Sequence, residues 1–541
     1  MKRKLKRRQR PVKKKIELDM DQLEELLKRA ESGSLQENDV ELIRGMAECI
    51  ALLSQAVDDK ASSVKKLLRM VFGAKTEKKD NVLNDTDKNG TRKGEDQEST
   101  VAKGSRKQRP GRNNGKNGAD TYTGADLVEI EHPELGTGDS CPECTEGKLY
   151  RNSESGVEIR VTGSAPLRAT VYKLEKLRCD LCGKIFTAPL PKEAGNKKYD
   201  TAAVAMIALL KYGSGLPFNR LQNLQGNLGV PLPTSTQWDI IKSSADCFRP
   251  AYKKMIELAA QGEIFHNDDT TIKIQSLVKE NKDGTPDRKG MFTTGIVSVL
   301  DGRKIVLFFS GRKHAGENLG KVLSERDTSL GAPLQMCDAL SRNTPSVFNT
   351  ILAYCLVHAR RHFVDAAMNF PEECRFVIDT LAEVYRFDEE AKEQRMTPDQ
   401  RLTYHQENSA GLMEELKAWL EQHIELKMVE PNSSLGDAIY YMLNHWENLT
   451  AFLKIPAAPL DNNICERALK KAILHRKNSL FFKSECGAAV ADMFMSLIYT
   501  CEQAGASPFD YLKALQDHTG QVETNPSAWM PWNFSTPPAN S

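Results

Sequence analysis

Three acidic side chains, far apart along the chain, are of the right type to share one chemistry. Asp268 closes the apolar run Glu263–Asp268 (EIFHND), and Asp338 closes a second, Leu334–Asp338 (LQMCD). Glu466 lies in Pro459–Phe482, PLDNNICERALKKAILHRKNSLFF, which reads as one helix and its exit. Asp461 is the expected N-cap, because its carboxylate can accept from the orphan amides of the first turn. Asn462, Glu466 and Lys470 then recur every four residues and share a face. Leu469, Ile473 and Leu474 fall on another face and are expected to dock on a core. Hard divalent cations such as Mg²⁺ bind through a few carboxylates and keep waters for substrate phosphate. Two such ions about 4 Å apart can hold the attacking and leaving oxygens of an in-line phosphoryl displacement. The same helix also reads as a surface helix with ordinary i,i+4 Glu–Lys pairs.

The segments around these acids decide between the two readings. HNDDT (266–270), MCDA (336–339), CLVHARRHF (355–363) and DNNICERALKKAILHRKN (461–478) resemble the insertion-sequence transposase family conventionally numbered sixty-six. The resemblance runs from about the first CxxC pair to near the C-terminus, and the DNN…ER…RKN block is its most specific part. It implies a DDE transposase with a ribonuclease-H-like catalytic core. It also implies that Asp268, Asp338 and Glu466 are the catalytic acids holding two Mg²⁺, with accessory transposition proteins as partners. Asp269 stands where the family often has Glu, which implies an auxiliary acid. Leu340 and Leu356 depart from the aromatic residues usual at those positions. In such a site Lys470, Arg476 and Lys477 would hold phosphates, and Asn462 would orient Glu466 through a hydrogen bond. Cys355 and His358 are spaced to hold a metal, to position an active-site loop or to form a buried structural pair, with Arg360 and Arg361 as phosphate contacts.

The remaining chain must position that core. At 541 residues it is long enough for three to four domains, and its net charge of +2 hides a strong asymmetry. Residues 1–16 form a basic arm, MKRKLKRRQRPVKKKI, and a second basic patch covers 106–112. Such tracts bind polyanions by releasing counterions, or simply keep a chain soluble. The arm lacks the apolar stretch of a secretory signal and no run reaches membrane-spanning length, so a cytosolic, nucleoid-associated protein is expected. Twelve cysteines in so long a chain fit a reducing compartment and not a disulfide framework.

Residues 17–73 are expected to be helical. From the capping box Ser34–Glu37, the residues Ile43, Ile50, Val57, Val64 and Val71 take one heptad position, and Met46, Leu53, Lys60 and Leu67 take the other. β-Branched residues at the first position with Leu at the second favour a parallel two-stranded coil, hence a homodimer or higher assembly; the alternative is a helix packed on its own chain. A linker poor in bulky apolar residues follows over 74–121. In 122–195 the pairs Cys141/Cys144 and Cys179/Cys182 have the spacing of a tetrahedral Zn²⁺ site. One structural zinc in a ribbon-like module is expected, because four thiolates leave no open coordination position.

Residues 196–258 read as three helices, 200–212, 219–225 and 235–245. These suggest a helix-turn-helix whose Gln237, Asp239 and Lys242 could face a DNA groove, or a small helical domain that packs on the core. The core would occupy 259–370, with a hairpin around Asp301-Gly302-Arg303, a helix over 314–325 and another over 346–353. An all-α insertion over 371–456 would separate the second acid from the third, with Trp419 and Trp446 as core packing. The core would resume over 457–525, leaving a tail at 526–541. The expected fold class is therefore multidomain α+β, a ribonuclease-H-like mixed sheet behind coiled-coil, zinc and helical modules. The expected function is double-stranded DNA cleavage and joining. Its rivals are a zinc-containing DNA-binding regulator with an inactive core, and a nuclease of the same fold without strand transfer.

Overall fold

A computed structural model describes residues 29, 136–140, 142, 148, 165–178, 185–195, 197–284 and 286–534. The heptad region, the basic arm, the linker and all four zinc-candidate cysteines lie outside these residues. The chain divides into two compact units, one of residues 92–168 and one comprising 1–91 with 169–541. In the smaller unit, Ser140 and Lys148 form an isolated antiparallel bridge.

Among the described residues the larger unit has first an antiparallel pair, β1 (Lys176–Arg178) against β2 (Ile185–Thr187), in register Arg178↔Ile185. Three helices follow: α1 (Thr201–Ala208, continued by a π-helical turn Leu209–Gly213), α2 (Phe218–Asn227) and α3 (Thr234–Ala260). α3 is 27 residues long, far beyond the expected end at 245. Its apolar stripe simply continues through Phe248, Met255 and Ala259, all buried, and Phe248 packs edge-on against Phe494 at 4.9 Å. Burial of that stripe outweighs the backbone bond lost at Pro250 inside the helix. The third helix is thus a bridge into the core and not a short recognition helix.

The core sheet is mixed and five-stranded, in the order β5-β4-β3-β6-β7. β3 (Ile264–Thr271), β4 (Phe292–Leu300) and β5 (Arg303–Gly311) run antiparallel, while β6 (Leu334–Cys337) and β7 (Ile351–Tyr354) run parallel to β3. The β4–β5 turn forms as expected: Asp301 and Gly302 both have positive φ, 49° and 74°, the two-residue geometry that matches strand twist. Two expectations need correction. The helix expected over 346–353 is absent, and Ile351–Tyr354 instead forms the edge strand β7, where ladder bonds to β6 outweigh local helical periodicity. The apolar run read as closing at Asp268 continues as β3 through Thr271, and after an isolated bridge at Ile274 α4 (Gln275–Asp283) follows.

Beyond the sheet come α5 (Ala315–Leu323), between β5 and β6, and α6 (Leu356–Ala366), after β7. The stretch from Pro371 to Leu453 is helical in successive pieces: α7 (Pro371–Glu393), α8 (Pro398–Asn408), α9 (Ala410–Glu425), α10 (Ser434–Asn444) and α11 (Trp446–Leu449). Trp446 is buried in its core, and Trp419 stacks near Phe376 and His423. α12 (Asn463–Ser479) then returns to the sheet, and α13 (Glu485–Ala504), α14 (Pro508–Asp517) and α15 (Thr519–Thr524) close the unit. α13 lies along β5, where Ser496 and Asp492 accept from the Phe308 and Ser310 amides at 2.9 and 2.6 Å. Among the described residues no helix is long and apolar enough to cross a membrane.

Candidate active site

The site is built at the end of the sheet where β3 finishes. In the parallel ladder His266 pairs with Met336, so Asp268 and Asp338 each stand two residues further along neighbouring chains. A step of two keeps a side chain on the same face. Both aspartates are therefore delivered to one end and one side of the sheet. Glu466 arrives from α12, and the reason it can come so close is Gly295. Gly295 lies opposite Asp268 on β4, and a Cβ there would meet Leu469 Cγ at 3.0 Å and Cys465 Sγ at 3.5 Å. Cys465 Sγ also lies 3.3 Å from the Gly295 carbonyl oxygen and donates to it. Gly295→Val is expected to force α12 off the strand, losing about 1–3 kcal/mol by overpacking; urea unfolding of the variant measures this.

The start of α12 is tied to β3 from the other side. Asn462 is fully buried; its Oδ1 lies 3.2 Å from His266 Nδ1, and its Nδ2 donates to the Asn267 carbonyl at 3.1 Å. Burial pushes His266 down to about 4, so the ring is neutral near pH 7 and its Nδ1–H donates to Asn462. The Asn462 amide in turn donates to Cys355 Sγ at 3.3 Å. Asn462 thus clamps helix to strand, and its side chain spends its bonds on β3 instead of orienting Glu466 as expected. The expected Asp461 cap also shifts: Asn462 is the cap residue, and Asp461 Oδ1 accepts from the Asn463 amide at 3.0 Å.

Electrostatics mark this end of the sheet as a site waiting for positive charge. Asp268 is pushed up to about 7, chiefly by burial; its hydrogen bond from the Asp269 amide opposes this, and the charges of Asp338, Asp269 and Glu466 add to it. Glu466 Oε1 is buried with no hydrogen-bond partner, and so is His358 Nδ1. An aspartate raised by burial and by neighbouring carboxylates, with an orphaned Glu466 oxygen at the same sheet end, fits a hard divalent cation, which would favour the charged form of Asp268. Asp338 is held in place by the Asn343 side-chain amide, which donates to its Oδ1. His358 Nε2 lies 3.9 Å from Glu466 Oε1. Cys355, His358 and Glu466 offer ligand atoms all within 4.8 Å of one another. Asp268, Asp338 and Glu466 share the sheet end without forming so tight a trio.

Other expected site residues are placed differently. Asp269 points to the opposite face of β3 from Asp268, accepting from His314 Nδ1 at 2.8 Å and from the Ala315 amide at 3.4 Å, with Arg342 at 3.6 Å. It caps α5, a structural role in this geometry. Gln237 is fully buried, and its amide donates to the carbonyls of Phe218 and Leu232 at 3.0 and 2.9 Å. A side chain so engaged cannot face a DNA groove, which corrects that expectation; Lys242 is exposed. Lys470 and Lys477 are exposed on α12 and its exit, and Arg360 and Arg361 are half-buried on α6. Arg476 Nη1 donates to the hydroxyls of Thr270 and Thr271 at 3.1 and 2.7 Å, so it also ties α12 to β3. Leu474, expected to dock, is 43 % exposed. Gly295, Asn343 and His266 were not singled out by the sequence. A glycine inside a β-rich run at 291–300 was the one available signal, because it marks close backbone approach.

The family model described as "Transposase IS66 family" matches residues 197–490, more than half of the chain, and that span contains all three acids. The chain belongs to the IS66 family of transposases. Its relatives include two uncharacterized proteins of Sinorhizobium fredii (strain NBRC 101917 / NGR234). y4jD is 27% identical over 417 residues, covering 72% of this chain and 77% of its own. y4hP is 28% identical over 442 residues, covering 75% of this chain and 76% of its own. IS66 membership implies action on DNA and use of a divalent metal. It accounts for the HNDDT, MCDA and DNN…ER blocks meeting at one sheet end.

Proposed function

We propose that this IS66-family chain is the catalytic DNA transposase of an insertion sequence, built on a ribonuclease-H-like core. The observation that carries the proposal is the delivery of Asp268, Asp338 and Glu466 to one end of the sheet from β3, β6 and α12. The strand order β5-β4-β3-β6-β7, with three antiparallel strands and two more parallel to the central one, supports the fold assignment. Asp268, Asp338 and Glu466 would hold divalent cations, Mg²⁺ in the cell. When bound, such ions supply Lewis acidity to the attacking and leaving oxygens of phosphoryl transfer.

The chain's own groups then divide the remaining work. Asn343 holds the Asp338 carboxylate, and Asn462 and His266 lock the helix that carries Glu466 onto the strand that carries Asp268. Lys470, Lys477, Arg360 and Arg361 would receive flanking phosphates. Water attack at the element's end breaks a P–O3′ bond and frees a 3′-hydroxyl. That hydroxyl then attacks a target phosphodiester, and a target 3′-oxygen leaves with the proton. The region upstream would serve assembly: the basic arm for DNA, residues 17–73 for homodimerisation, and Cys141, Cys144, Cys179 and Cys182 for one structural Zn²⁺. Small accessory proteins would act beside it.

Strand transfer of pre-cleaved duplex ends into a plasmid tests the proposal. Joined product in Mg²⁺ and none in EDTA is the expected result. Nicking without joining would make the protein a nuclease. DNA binding with neither would make it a regulator.

A further inference from the structure

The turn that leaves α12 is strained, apolar, exposed and fixed on both sides. Leu480 has φ 66° and ψ −40°, and the Phe481 amide donates to the Ser479 carbonyl at 2.8 Å, closing a three-residue turn. Turns of this hand are rare and strained, and a Cβ makes them worse. Glycine would remove the strain, yet the chain places leucine there and leaves it 66 % exposed, followed by Phe481 at 43 %. At such a tip leucine leaves most of its apolar surface in water, and phenylalanine nearly half.

The anchoring around the tip is dense. Phe482 is buried, stacks on His475 at 4.9 Å, and forms a parallel bridge with Ile274; its amide donates to the Lys273 carbonyl at 2.9 Å. On the helix side, Lys211 Nζ donates to Ser479 Oγ at 2.9 Å and Asn478 Nδ2 donates to the Gly215 carbonyl at 3.1 Å. Arg476, one turn earlier, is bonded to Thr270 and Thr271. Thr271 is three residues beyond Asp268 on β3, about 10 Å along an extended strand. Exposed Lys477 and Lys483 flank the apolar pair.

A rigid apolar point with cations on either side fits a nucleic-acid duplex. The cations take phosphates, while leucine or phenylalanine enters a base step and unstacks it. We propose that Leu480 and Phe481 form a base-stacking wedge for double-stranded DNA, holding one nucleobase out of the stack a few nucleotides from the phosphate to be cut. This rests on the placement of the cleavage centre at Asp268, Asp338 and Glu466. Leu480 stands 14 residues beyond Glu466 on α12, about 21 Å of helix, so at about 3.4 Å per nucleotide along a strand the unstacked base lies within about six nucleotides of the scissile phosphate.

The test uses the full chain in Ca²⁺, where cleavage is not needed, with nicked duplexes carrying 2-aminopurine at successive positions around the nick. The wild-type protein is expected to raise fluorescence several-fold at one position within that window. Leu480→Gly and Phe481→Ala are expected to lose the rise while binding the duplex within a few-fold of wild type. Leu480→Gly should also melt at the same or a higher temperature, because it relieves the turn, which separates a wedge from a merely structural residue. No rise with wild type at any position would overturn the proposal, as would variants that keep the rise. Altered sedimentation of the variants with unchanged fluorescence would also overturn it and assign the tip to a second copy. Asp268→Ala should keep the rise. If it keeps both the rise and cleavage in Mg²⁺, the catalytic assignment fails while the wedge stands.

Discussion

Replacing Asp268, Asp338 or Glu466 singly by Ala is expected to reduce end cleavage and strand transfer by at least about 10³-fold, with binding to end DNA retained. The magnitude follows from the chemistry asked of the site. Lewis-acid stabilisation of phosphoryl transfer is worth several kcal/mol, and each 1.36 kcal/mol is about tenfold in rate. All three acids sit at the same sheet end, and each of the other two already raises Asp268. They would act as a unit, so a double variant should lose little more than a single one. Without metal these carboxylates repel phosphate, so in EDTA the variants should bind DNA as well as wild type or slightly better. Gel shift and cleavage on the same labelled duplex separate the two effects. Retained strand transfer in any one variant would remove that residue from the set.

The second large effect lies in the helical insertion. Asp388 on α7 is buried, and Arg401 Nη2 lies 2.7 Å from its Oδ1, Lys392 Nζ 2.6 Å from its Oδ2 and His405 Nε2 3.3 Å from its Oδ1. Burial alone would push Asp388 up, but the His405 hydrogen bond and the charges of Arg401 and Lys392 outweigh it and hold it well below the usual carboxylate range. Asp388→Ala leaves Arg401 and His405 facing an uncompensated hole. A loss of about 3–5 kcal/mol is expected, as for other broken buried pairs. The pH dependence has a definite sign. The folded carboxyl titrates lower than the unfolded one, so its stabilisation is complete above the unfolded value of about 4. It is lost progressively as pH falls below that toward the folded value. Urea midpoints from pH 7 down to acid should therefore converge for wild type and Asp388→Ala. Midpoints that stay equally separated at every pH would contradict the assignment.

The meeting of Asp268 and Asp338 at one sheet end was legible because each closes an apolar run, and the two runs lie side by side; Glu466 was legible only through the resemblance of its DNN…ER block. The β4–β5 turn was legible because Asp-Gly at that position admits few conformations. Other features depended on tertiary contacts that a local pattern does not encode. Ile351–Tyr354 carries no strict alternation, and only the neighbouring β6 makes it a strand. Gln237 looks like a groove-facing side chain until the carbonyls of Phe218 and Leu232 close over it. Asp269 is chemically identical to its neighbour Asp268, and one step along a strand sends it to the cap of α5 instead. Helical spacing aligns Asn462 with Glu466 and so suggests the two as partners. The strand it meets, carrying His266 and the Asn267 carbonyl, offered better partners.

Whether the three acids hold cations jointly is best measured with Fe²⁺ in place of Mg²⁺, mapping the backbone breaks made by the hydroxyl radicals it generates. The account predicts that one bound population cuts the chain near residues 268, 338 and 466 together, and that Asp268→Ala abolishes all three cuts. Breaks confined to the neighbourhood of Cys355, His358 and Glu466, unchanged by Asp268→Ala, would contradict it.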